Sequence, residues 1–73
     1  MSEEVCAELS GNVWKIVVTR GQDVSEGDTL MILESMKMEI PVIAEIDGSV
    51  SSIEVVEGQS VQEDDVLAIL TTN

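Results

Sequence analysis

The chain has 73 residues, 15 of them Asp or Glu and 3 Lys or Arg, for a formal net charge of -12, with no histidine and one cysteine, Cys6. Those counts exclude a disulfide framework, a Cys/His zinc site and any catalysis by histidine. With only Lys15, Arg20 and Lys37 as cations there is no basic patch, so neither nucleic acid nor an anionic membrane surface is an expected partner.

Hydrophobic residues make up 44% of the chain, too many for a disordered acidic tail. The length fits one domain, residues 1–73. The opening Met-Ser-Glu-Glu has no charged n-region and no apolar h-region, so no signal peptide is expected. No apolar run reaches the length of a membrane span. A lone cysteine fits a reducing compartment, and the expected location is cytoplasmic.

Eleven Val, seven Ile and four Thr, set in short runs between Gly and Asp/Ser clusters, predict strands. In chain order these are Glu4–Glu8, Asn12–Val18, Thr29–Ser35, Met38–Glu45, Ser49–Val55 and Val66–Thr72. Very short strands are expected at Asp23–Val24 and Ser60–Val61. No window sustains the spacing of an amphipathic helix. Pro41 falls inside a run, which predicts either an edge strand there or a nitrogen facing away from the ladder.

The chain repeats itself. A shift of 37 lays Val5–Met36 over Val42–Asn73 without a gap, with 15 of 32 positions identical. The pairs include Val5/Val42, Ala7/Ala44, Glu8/Glu45, Gly11/Gly48, Gln22/Gln59, Asp28/Asp65 and Leu33/Leu70. Two copies are too few for a solenoid. They predict two four-stranded sheets related by a pseudo-twofold axis, closing on one core as a small sandwich or flattened barrel. Gly11 and Gly48, each after a polar residue, are expected at a turn or bulge.

One segment breaks local rules. In Glu34-Ser35-Met36-Lys37-Met38-Glu39, apolar runs on both sides predict a tight hairpin with Met36 and Lys37 at its centre. Ser35 would then face Met38, Glu34 would face Glu39 and Leu33 would face Ile40. Two-residue hairpin turns want positive φ, usually supplied by Asn-Gly or Asp-Gly, and Met-Lys is a poor substitute. Two opposed glutamates repel. Two methionines at a tip expose apolar surface. Violations clustered this way are expected where function sets the sequence. From the pattern alone the tip reads either as a solvated lysine beside incidental methionines or as a lysine held on a rigid tip between adaptable methionines, which suits covalent modification. It suits intrinsic catalysis badly, because a solvated amine is protonated at neutral pH.

This segment closely resembles the Glu-Ala-Met-Lys-Met-Glu signature of biotinyl domains. The resemblance extends through the Gly11-to-Lys37 spacing, Val24-Ser25-Glu26-Gly27-Asp28-Thr29-Leu30, and Asp47-Gly48 with Val50. It covers about Val5 to Leu70. It implies an all-β barrel-sandwich hybrid of two four-stranded antiparallel sheets, with Lys37 at a hairpin tip. It further implies a carrier rather than an enzyme: a biotin protein ligase using ATP would join biotin to Lys37 by an amide, and the arm would carry a carboxyl group between biotin carboxylase and carboxyltransferase components. Met36, Met38, Glu34, Ser35 and Glu39 flank the lysine and are the expected recognition residues, and a monomer is expected.

The wider family includes lipoyl domains, so lipoate on Lys37 from a lipoate ligase, alone or as a dual modification, is the alternative cofactor. The usual lipoyl tip is Asp-Lys-Ala, whereas this chain has Met36-Lys37-Met38. A non-modified structural hybrid motif, as in efflux adaptors, is a further alternative that the tip lysine disfavours. Two departures stand out. Ala7-Glu8-Leu9 replaces the family's common Ala-Pro-Met, and Ser35 stands where alanine is usual. No stretch is long enough for the thumb insertion of some biotin carrier domains, and a free-standing minimal domain is expected.

Overall fold

A computed structural model describes residues 2–72. Eight strands follow in order: β1 Ser2–Cys6, β2 Gly11–Ile16, β3 Asp23–Val24, β4 Thr29–Ser35, β5 Met38–Ile43, β6 Gly48–Ile53, β7 Ser60–Val61 and β8 Val66–Thr72. There is no helix among the described residues. They form two four-stranded antiparallel sheets, ordered β1-β8-β6-β3 and β5-β4-β2-β7. The shift of 37 turns one order into the other, so the sequence repeat is a structural twofold. Pro41 lies on edge strand β5, where a missing amide breaks no interior ladder.

Even the irregularities repeat. The register of β2 on β4 slips between Val13 and Lys15, and that of β6 on β8 between Val50 and Ser52. The turns repeat as well. The Ser25 amide donates to the Asp28 carboxylate at 2.8 Å, and the Gln62 amide to Asp65 at 2.8 Å. The Thr19 amide donates to the Gln22 side chain, and the Val56 amide to Gln59. These bonds account for the Gln and Asp pairs that survive in both copies.

Four strands end or begin differently from the sequence expectation. β1 covers Ser2–Cys6 rather than Glu4–Glu8, and β5 stops at Ile43 rather than Glu45. The reason is that the Ala7 and Ala44 amides leave the ladders and donate to the turn carbonyls of Asp65 and Asp28, both at 2.8 Å. β2 and β6 each start one residue early, at Gly11 and Gly48, and end at Ile16 and Ile53.

The two glycines do not serve a turn or a bulge as expected. They allow close strand approach. A Cβ on Gly11 would stand 2.6 Å from the Glu34 carbonyl oxygen, and one on Gly48 would collide with the Thr71 carbonyl oxygen.

The core contains no polar side chain among the described residues, and all fifteen carboxylates lie on the surface. Its centre is the fully buried set Leu30, Met31, Leu33, Leu67 and Leu70. Burying each such side chain contributes about 1.5–3 kcal/mol, which a 73-residue domain cannot spare. Leu33 clusters with Leu67, and Leu30 with Leu70. The ends of β4 and β8 therefore point in opposite directions across the sandwich.

Candidate functional site

The β4–β5 hairpin sets the site. Its register pairs Leu33 with Ile40, Glu34 with Glu39 and Ser35 with Met38, leaving Met36 and Lys37 as the two turn residues, as the sequence predicts. Met36 has φ 52° and Lys37 φ 65°. Both central residues are thus left-handed, which is the backbone of a type I′ turn, the kind whose twist matches paired strands. Left-handed conformations cost non-glycine residues roughly 1–2 kcal/mol each, so neither residue was selected for turn formation.

Met36 is 92% exposed and Met38 64% exposed, and Lys37 between them is exposed. Among the described residues no hydrogen bond or ion pair engages Lys37. Glu34 and Glu39 are also exposed, and Ser35 is half-buried. All six residues singled out in the sequence lie together on one hairpin tip. The site displays an amine, two flexible thioethers and two carboxylates to solvent. Beside it, among the described residues, lies an open depression lined by Gly11, Asn12, Glu34, Ser35 and Ser60.

The base of this hairpin is braced. Asn12 pairs with Glu34 across β2 and β4, and the Ser60 hydroxyl donates to the Asn12 side-chain oxygen at 2.9 Å. The close approach at Gly11 belongs to the same junction. Sequence reasoning missed this support. Its signal was present in the repeat, since Gly11 and Gly48 sit under equivalent carbonyls.

At the other end of the sandwich, Ser2 pairs with Thr71, so the first and last strands of the described residues run side by side. Given the opposed directions of β4 and β8, Lys37 stands at the end away from them.

Comparison with known proteins places the fold in a class. The biotin/lipoyl family model, described as "Biotin-requiring enzyme", matches residues 3–70, and the chain belongs to that family of attachment domains. It is 56% identical over 43 residues to the biotinylated protein TB7.3 homolog of Mycolicibacterium smegmatis, covering 59% of this chain and 61% of that one. It is 46% identical over 39 residues to the biotin/lipoyl attachment protein of Bacillus subtilis, covering 53% of each. The matches thus span less than two thirds of those relatives. Among solved structures, Kluyveromyces lactis urea carboxylase superposes with a TM-score of 0.92 at 34% identity, over 97% of this chain and 6% of that one. A single-chain, multi-domain long-chain acyl-CoA carboxylase superposes with a TM-score of 0.93 at 29% identity, over 99% of this chain and 7% of that one. The all-β, two-sheet expectation therefore holds. Among the described residues no helix is long and apolar enough to cross a membrane.

Proposed function

We propose that this chain is a biotin carrier domain, with Lys37 as the attachment residue. The observation that carries the reading is an exposed lysine, without a partner among the described residues, held between Met36 and Met38 on a strained type I′ turn. A turn built for stability would use glycine or asparagine there.

Loading needs a ligase. ATP and the biotin carboxylate would give an acyl adenylate and pyrophosphate, and the Lys37 Nζ, having lost its proton, would attack the acyl carbon to form the amide as the bond to AMP breaks and AMP leaves. The protein's part is presentation. The type I′ turn leaves the Lys37 side chain exposed beyond the last paired residues, Ser35 and Met38. Met36 and Met38 offer apolar, adaptable contact to the ligase, and Glu34 and Glu39 offer charge to a basic ligase surface. Ser35, half-buried, pairs with Met38 directly below the turn.

Bound biotin supplies a ring nitrogen that accepts a carboxyl group. The domain's contribution is then to move and to dock. A small acidic body that binds weakly can visit a biotin carboxylase and a carboxyltransferase in turn, and tethering raises the local concentration of the arm at each. Amide formation removes the Lys37 charge and makes the net charge of -12 one unit more negative. The lipoyl alternative is disfavoured by the two methionines. The cytosol, which is reducing, suits the single free thiol of Cys6.

The test is transfer. Domain treated with a biotin protein ligase, biotin and ATP is incubated with a biotin carboxylase, ATP and labelled bicarbonate. Label should appear on the ligase-treated protein and not on untreated protein. Equal label on both, or none on a fully biotinylated sample, contradicts the reading.

A further inference from the structure

Edge strands β1 and β5 flank an open side of the sandwich and leave a groove of about 240 Å³ between them. Its floor is apolar. Half-buried Val5, Leu9, Val42 and Ile46 lie over the fully buried Leu33 and Leu70. These are three repeat-related pairs, 5/42, 9/46 and 33/70, so the groove sits on the pseudo-twofold axis. Its rim carries Glu3, Glu4, Glu8 and Glu45, all exposed, and no Lys or Arg among the described residues lines it. Neither Lys37 nor the tip methionines take part.

The chemistry of the occupant follows from this pairing of floor and rim. A second copy would bring a further net charge of -12 against the same glutamates. A nucleic acid or an anionic lipid would meet like charge as well. An added β-strand would find Pro41, which lacks an amide, in one of the two flanking edges. Aliphatic side chains carried between cations satisfy both features at once: apolar atoms leave water in the floor, and ammonium or guanidinium groups meet the rim.

We propose that this groove docks a basic amphipathic segment of a partner protein, seating aliphatic side chains on Val5, Leu9, Val42 and Ile46 and its Lys or Arg side chains on the glutamate rim. This docking is separate from Lys37 and proceeds whether or not Lys37 is modified. It would hold the domain by its flank and leave the tip free to move.

Cys6, the sole thiol, lines the groove and is half-buried, so it reports on occupancy. The experiment titrates the full chain with an acetylated Lys-Leu-Lys-Ile-Arg-Leu-Lys peptide and follows the rate of Cys6 alkylation. At ten times the peptide Kd, alkylation should slow about tenfold by mass action. Replacing the peptide's Leu and Ile with Ser keeps its charge and should weaken binding at least about tenfold, a loss of about 1.4 kcal/mol. Glu8→Gln with Glu45→Gln should weaken binding about tenfold. Asp23→Asn with Glu54→Gln, the same charge change away from the groove, should alter it less than about twofold. Three results overturn the proposal. The first is equal weakening by both pairs of substitutions, which means general attraction to an acidic protein. The second is unchanged alkylation at saturating peptide. The third is sedimentation of the free chain as a dimer with Cys6 protected, which assigns the groove to a second copy.

Discussion

Gly11 lies directly beneath Glu34: a Cβ at position 11 would stand 2.6 Å from the Glu34 carbonyl oxygen, closer than real side chains tolerate. The strand that braces the hairpin can approach it only because it begins with glycine. Gly11→Ala should therefore push β2 from β4 and cost about 1–3 kcal/mol, the usual penalty of forcing an extra methyl into a packed site. At roughly 4–8 °C per kcal/mol for a domain of this size, thermal melts should show a drop on the order of 10 °C. Gly48→Ala, on the symmetric contact with Thr71, should behave alike. A melting point unchanged in both would show that the strands are free to adjust.

The turn tells the opposite story about stability. Lys37 holds φ 65° without a glycine's freedom. Lys37→Gly should raise stability by about 1 kcal/mol while removing the proposed attachment point. Lys37→Arg should leave stability within about 0.5 kcal/mol, since the charge is solvated, and should equally abolish loading. A fall of more than about 5 °C for the arginine variant would make Lys37 a structural residue instead.

The second copy contains a related strain. Asp64 has φ 74° where its repeat mate, Gly27, has φ 95°. The same backbone is therefore kept with an unfavourable residue. Asp64→Gly should stabilise the domain by about 1 kcal/mol, read as a higher denaturation midpoint in urea at unchanged slope. A lower midpoint would mean that the Asp64 side chain has a role which the hydrogen bonds do not reveal.

Met36 and Met38 are the tip's largest apolar surface, and in the proposed function they choose the ligase. Met36→Asp combined with Met38→Ala should lower the rate with a biotin protein ligase and raise it with a lipoate ligase, because one change removes apolar contact and the other adds a charge that one partner must desolvate. Unchanged relative rates would remove the methionines from recognition. The placement of the tip makes a further point: one residue inserted between Met36 and Lys37 should slow loading, whereas a tag beside Ser2 or Thr71 should not, since those ends pair at the far end of the sandwich.

Much of this was legible in the sequence. The repeat of Val5–Met36 on Val42–Asn73 gave the two sheets, because a shift that preserves the buried positions Val13/Val50, Leu30/Leu67 and Leu33/Leu70 must preserve the pairing of their strands. The register from Leu33 to Ile40 followed from hydrophobic runs meeting across two residues. What stayed hidden was set by backbone groups that a side-chain pattern cannot show. The Ala7 and Ala44 amides bond to turn carbonyls and so end β1 and β5 early. Gly11 and Gly48 looked like turn residues, but steric contact with a neighbouring carbonyl, and not φ, is what requires them. The groove between β1 and β5 was hidden too, because residues 5 and 42 come together only once the two copies close.

The central claim is that Lys37 carries the cofactor, and peptide mapping tests it most directly. Protein expressed with its biotin protein ligase and biotin is weighed intact, digested and sequenced by mass spectrometry. One biotinyl group per chain, confined to the Lys37 peptide and absent from Lys37→Arg, is the predicted result. Biotin on Lys15, or a lipoyl mass in place of the biotinyl one, would contradict it.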